Sequence, residues 1–124
     1  MHEELKMKGR ILVADDELVR REQIAAILSG FDVKLADSAR AALRLVEEQK
    51  FDLLILDNRM EKPGAGAELL HLLRERGETV PIIICSSDFP VITEEQVKQD
   101  GGIFVRKSYN GPGNLKAVIE ELLS

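Results

Sequence analysis

Five times along the chain the hydrophobic pattern switches from a short apolar run to a segment whose apolar residues return every three or four positions. Short runs without alternation suit strands buried on both faces, and the longer spacing suits helices that bury one face. The expected strands are "RILVA" (Arg10 to Ala14), the shorter "DVKLA" (Asp32 to Ala36), Phe51 to Leu56, "PIIIC" (Pro81 to Cys85) and "GIFVR" (Gly102 to Arg106). No two are joined by a hairpin-length connection. Successive strands must therefore run parallel through right-handed helical crossovers, which makes an α/β sandwich with helices on both faces of a parallel sheet.

The helices carry their own punctuation. The first is expected over about residues 17–28, with Leu18, Ile24, Ile27 and Leu28 sharing a face and Gly30 closing it as a left-handed cap. Ser38 is placed to N-cap a second helix that turns Leu43 and Val46 inward. Leu69, Leu70, Leu72 and Leu73 mark a third helix ending near Gly77, preceded by a loop, "EKPGAG". Thr93 and Gln96 have capping-box spacing for a short fourth helix, and Leu115, Val118, Ile119 and Leu122 stripe the last.

Composition removes several classes of function. The 124 residues suffice for one domain with its own core, expected over residues 10–124 behind an extension at 1–9. Cys85 is the only cysteine, so no internal disulfide forms, and no Cys/His cluster has metal spacing; a cytoplasmic location is expected. The longest apolar runs, Leu53 to Leu56 and Ile82 to Cys85, are far too short to span a bilayer, and charged Met1 to Arg10 is no secretion signal. With a net charge of -5 and scattered basic residues, neither a membrane nor direct nucleic-acid contact is expected.

In an open parallel sheet, ligands bind at the carboxyl ends of the strands. Asp15, Asp16 and Glu17 follow the first strand, Asp57 the third, Ser86 and Ser87 the fourth, and Arg106 and Lys107 the fifth. Singly, each has an ordinary explanation: acids complement a helix N-terminus, an aspartate or serine caps a turn, and a lysine ends a strand in water. Cys85 reads as a small hydrophobe and His71 as a helix-surface residue without a ligand partner. Together the strand ends say more. Two carboxylates about 4 Å apart repel by about 4 kcal/mol at an effective dielectric of 20, so three at one edge call for a cation. An all-oxygen donor set suits Mg²⁺ better than Zn²⁺, and Lys107 and Ser86 can meet the oxygens of a phosphoryl group.

"LVADDE", "DLLILD", "PIIICSS" and "FVRKS" together resemble the receiver domains of two-component response regulators, from about Arg10 to Leu123. That resemblance implies the flavodoxin-like (βα)5 fold with strand order 2-1-3-4-5. It implies Asp57 as phosphoacceptor from a sensor histidine kinase or phosphotransfer protein, with Lys107 and Ser86 serving the transfer. Asp15, Asp16, Asp57 and the carbonyl of Arg59 would hold Mg²⁺, with Asp16 as the direct ligand of the acidic pair. Ser86 and Phe104 would act as switch residues reporting to helix four, strand five and helix five, a surface for an effector, a fused output domain or a dimer. A pair between Arg59 and Asp88 would gate the pocket's mouth.

The chain departs from the family at two places. Met60 is followed by Glu61 rather than proline, with one extra residue before "AELL", and Lys107 precedes Ser108 rather than proline, so a trans bond is expected there. Alternatives stay open. A dehalogenase-like phosphatase needs a second acid where Arg59 stands, and an FMN carrier needs a first loop that does not repel phosphate. A degenerate receiver, binding protein partners without phosphorylation, is opposed by the retention of all five chemical positions and supported only by the altered loops, and a receiver within a longer regulator would read the same.

Overall fold

The computed structural model of the chain describes residues 9–87, 91–107 and 113–123. Its strands β1 (Arg10–Ala14), β2 (Asp32–Ala36), β3 (Leu53–Asp57), β4 (Ile82–Ser86) and β5 (Ile103–Arg106) form one parallel sheet in the order β2-β1-β3-β4-β5. Helices α1 (Leu18–Ala26), α2 (Ala39–Glu48), α3 (Ala65–Glu75), α4 (Val91–Gln99) and α5 (Gly113–Leu123) alternate with them. This is the flavodoxin-like (βα)5 arrangement. Residues 1–8, read as most of an extension, lie outside the described residues.

Strand residues sort by parity into two cores. Leu12, Ala14, Leu54, Leu56, Ile82 and Ile84 pack with Ala42, Leu70, Leu73 and Val97. Ile11, Val13, Leu53, Ile55, Ile83 and Cys85 pack with Ile24, Leu28, Leu115 and Ile119 on the other face. Every residue of β3 and β4 is buried, including the terminal Asp57 and Ser86. Burying one Leu or Ile side chain stabilises by about 1.5–3 kcal/mol, and a one-residue slip would exchange the two faces of a strand. The apolar pattern thereby fixes where each strand's last residue stands.

Several helix boundaries differ from the sequence expectation. Helix α1 starts at Leu18, yet Leu18 is 59 % exposed and Val19 64 %. The first turn of α1 follows directly from the carboxyl edge of the sheet, where the apolar layer ends, so only Ile24 of that helix is fully buried. Gly30 does take a left-handed φ of 94°, but four residues past the helix, in the turn into β2. Strand β3 begins at Leu53 rather than Phe51 and takes in Asp57. Thr93 lies inside α4, which begins at Val91, and so does not serve as its N-cap. Ser38 behaves as expected: its side chain accepts the Ala41 N–H at 3.0 Å.

The loop after β3 is shorter than "EKPGAG" suggested, because Ala65 and Gly66 belong to α3. Gly66 has a specific reason to be glycine. A Cβ there would overlap the Asp57 carbonyl oxygen and stand 3.0 Å from the Asp57 carbonyl carbon and Asn58 Cα. The start of α3 is thus packed directly on the backbone that carries Asp57.

Candidate functional site

The ladder continues past the strand ends and aligns the residues beyond them. Asp15 N–H donates to Ala36 O (3.0 Å), Asn58 N–H to Cys85 O (2.8 Å) and Lys107 N–H to Ser86 O (2.8 Å). Asp15, Asp57, Ser86 and Lys107 therefore stand side by side along one edge. Asp15 is 1 % and Asp57 4 % exposed, and Ser86 is likewise buried.

Lys107 Nζ lies 2.8 Å from Asp57 Oδ1 and 3.9 Å from Asp15 Oδ2. Arg59 N–H also donates to Asp57 Oδ1, at 3.3 Å. Asp15 Oδ1 accepts the Glu17 N–H at 3.0 Å, and Arg20 Nε stands 3.8 Å from Asp15 Oδ2. Two buried carboxylates thus share the partly buried Lys107 ammonium, and the more distant Arg20 guanidinium faces Asp15. Burial pushes the Asp15 carboxyl up to about 6 and the Asp57 charge adds to the rise, while the Glu17 N–H, Lys107 and Arg20 oppose it. Cys85, fully enclosed, has its thiol raised by burial to about 12, which leaves it a packing residue.

Asp16 and Glu17 are exposed beside this pair, and one carboxylate oxygen each from Asp15, Asp16 and Glu17 fall within 4.8 Å of one another. The donors fit a hard dication: all are oxygens, and buried Asp15 stands beside the Asp57 charge, whose repulsion a cation would offset. Phe104 is half-buried on β5, paired in register with Ile84 and packed against the α2–α3–α4 core. Asp88, the expected partner of Arg59, and Ser108, on the far side of the Lys107 peptide bond, lie outside the described residues.

Three site residues escaped the sequence reading. Arg20 reaches Asp15 from α1, and nothing in the residue pattern marked it. Buried Asn58 accepts the Ala67 N–H through Oδ1 at 3.2 Å, while its carbonyl accepts the Gly66 N–H at 3.2 Å, so it ties α3 to the residue after Asp57. Gly66 was visible only as one glycine in a loop-like stretch. His71 is exposed as expected, but it has partners: Nδ1 lies 3.1 Å from Asp100 Oδ2 and Nε2 3.5 Å from Glu75.

The family model of the response regulator receiver domain matches residues 11–120. The chain belongs to that family. Among curated relatives, this receiver domain is 37 % identical to a probable transcriptional regulatory protein of Picosynechococcus over 93 residues, 68 % of this chain and 37 % of that one. It is 31 % identical to the transcriptional regulatory protein ZraR of Escherichia coli over 116 residues, 92 % of this chain and 26 % of ZraR. The chain therefore spans only about a quarter to two-fifths of the length of these relatives. Among solved structures, NtrX of Brucella abortus superposes with a TM-score of 0.80 at 27 % identity, covering 94 % of this chain and 27 % of that one. The chemotaxis response regulator CheY4 of Vibrio cholerae shares the fold, with a TM-score of 0.79 at 22 % identity and 92 % and 98 % coverage. Among the described residues of the receiver domain, no helix is long and apolar enough to cross a membrane.

Proposed function

We infer that this receiver domain takes a phosphoryl group onto Asp57 from a phosphohistidine of a sensor histidine kinase or phosphotransfer protein, with Mg²⁺, and so switches a protein-interaction surface. The observation that carries the reading is Lys107 Nζ at 2.8 Å from a buried Asp57 carboxylate, with a second buried carboxylate, Asp15, alongside. Asp15, Asp16, Asp57 and the Arg59 carbonyl would hold the cation, with Glu17 at the rim. When bound, Mg²⁺ supplies charge neutralisation for the phosphoryl oxygens.

The chain's own groups do the rest. Lys107 and the Arg59 N–H both engage Asp57 Oδ1, which leaves Oδ2 as the attacking oxygen. An O–P bond forms from Oδ2 as the P–N bond breaks, and the electron pair stays on the departing imidazole, which takes a proton from solvent. Burial of β3 on both faces holds the nucleophile still, and orientation of that kind is worth several kcal/mol of barrier. Lys107 can then turn part of its charge to a phosphoryl oxygen. The Ser86 hydroxyl offers a second contact there, and Phe104, one strand over, carries the change toward α4, β5 and α5. That face would serve an effector, a fused output domain or a second copy.

Intact-mass measurement after incubation with acetyl phosphate and Mg²⁺ tests the reading. One added phosphoryl group is expected, absent in Asp57→Asn. No adduct at any Mg²⁺ concentration would reduce the chain to an unphosphorylated binding module.

A further inference from the structure

Glu61 sits in the loop after Asp57, yet its carboxylate bonds a different element. Oε1 accepts the Ala39 N–H at 2.8 Å and Oε2 the Arg40 N–H at 3.0 Å, across 22 and 21 residues of sequence. The next N–H of α2, from Ala41, goes to Ser38 Oγ, and Ala42 N–H goes to Ser38 O. The open end of α2 is therefore divided between its own cap and an anion reaching over from the acceptor loop. Both carboxylate oxygens on successive N–H groups, at the positive end of a helix, make a two-point anchor. Although partial burial opposes it, these N–H groups hold the Glu61 carboxyl below its ordinary range.

The other end of the same short segment is tied to the nucleophile. Arg59 N–H donates to Asp57 Oδ1, Met60 is buried in the core, and Met60 N–H reaches Lys62 O at 3.3 Å. Three residues separate Asp57 from Glu61, so a shift at Glu61 passes to Arg59 with little slack.

We propose that Glu61 is a positioning residue of the acceptor site: by gripping the N-terminus of α2 it sets the path of residues 58–61, and with it the place of the Arg59 carbonyl beside Asp57. A carboxylate anchored from outside does here what a proline at this position does by restricting its own backbone. The proposal rests on the phosphoacceptor reading above, because it gives the Arg59 carbonyl a cation to meet.

Four proteins decide it: the intact chain, Glu61→Ala, Glu61→Gln and Ser38→Ala. The serine variant removes a cap from the same helix end without touching the acceptor loop, so it reports what loss of α2 stability alone does. Amide exchange at Arg59 and Met60, followed by NMR without metal, should quicken in Glu61→Ala and stay unchanged in Ser38→Ala. Mg²⁺ affinity, from NMR titration, should fall about threefold to tenfold in Glu61→Ala, in line with loss of an anion contact at a helix end. Glu61→Gln keeps one acceptor oxygen and should lie nearer the intact chain. Equal effects in Glu61→Ala and Ser38→Ala, or loop exchange and affinity in Glu61→Ala matching the intact chain, would overturn the proposal. An intact chain that binds no Mg²⁺ at all would overturn the phosphoacceptor reading itself.

Discussion

Gly66→Ala should lower stability and slow phosphorylation, although helix propensity alone argues the opposite. Gly66 lies inside α3, where alanine is favoured by about 0.8–1 kcal/mol over glycine, and no left-handed backbone requires glycine there. The obstacle is space. An added Cβ meets the Asp57 carbonyl oxygen, the Asp57 carbonyl carbon and Asn58 Cα, the last two at 3.0 Å. Carbon pairs pack best at about 3.5–4.0 Å, so α3 and the end of β3 must part by about half an ångström or more. These are backbone atoms of a buried strand and cannot swing aside as a long side chain would. Overpacking of this kind costs about 1–3 kcal/mol, which leaves a net loss of up to about 2 kcal/mol after the propensity gain. The displaced atoms belong to the nucleophile's own residue, and a misplacement of about 1 Å costs about 100-fold in rate, so half of that should slow phosphoryl uptake about tenfold. Urea unfolding gives the first quantity and timed intact-mass measurement with acetyl phosphate the second. A Gly66→Ala protein as stable as the intact chain and phosphorylated at the same rate would refute the argument that α3 is packed onto the acceptor's backbone.

Asp15→Asn should be more stable than the intact chain at neutral pH. A carboxyl raised from 3.8 to about 6 in the folded state binds a proton the unfolded chain has lost, so stability falls as pH rises through that window and then levels off. The variant should gain up to about 3 kcal/mol at pH 7, with the curves converging below pH about 4 in denaturant titrations across pH. Arg74→Met should cost about 2–3 kcal/mol in urea unfolding, because the guanidinium donates to the part-buried carbonyls of Asp100, Glu78 and Val80, which lose that donor. His71 should titrate above 6.5 by NMR, raised by its hydrogen bond to Asp100 and then by the Asp100 and Glu75 charges, and return toward 6.5 in Asp100→Asn. Its link from α3 to Asp100 is present in full below pH 6.5 and is lost as pH climbs through the raised value.

The layered fold and the residues at the sheet's working edge follow from local patterning alone. Unbroken runs such as Leu53 to Leu56 are local facts, and a strand that must bury both faces has one register in which to do it, so Asp57, Ser86 and Lys107 were legible as neighbours before any coordinates. Ser38 was legible for the same reason, since a cap and the N–H it satisfies are three residues apart. Contacts between partners distant in sequence, and burial at the edge of a layer, are set only when the elements pack. Leu18 fits the periodicity of a buried face yet is exposed, because the sheet ends before the first turn of α1 begins. Thr93 and Gln96 have the spacing of a capping box, but α4 starts two residues earlier and absorbs the threonine. Glu61 on α2, Asp100 on His71, Arg20 on Asp15 and Gly66 against the Asp57 carbonyl join residues from 5 to 29 positions apart, in geometries that neither periodicity nor propensity specifies. A hydrogen bond or a steric contact depends on ångström-scale placement of both groups, and for these pairs that placement exists only once the helices have packed onto the sheet.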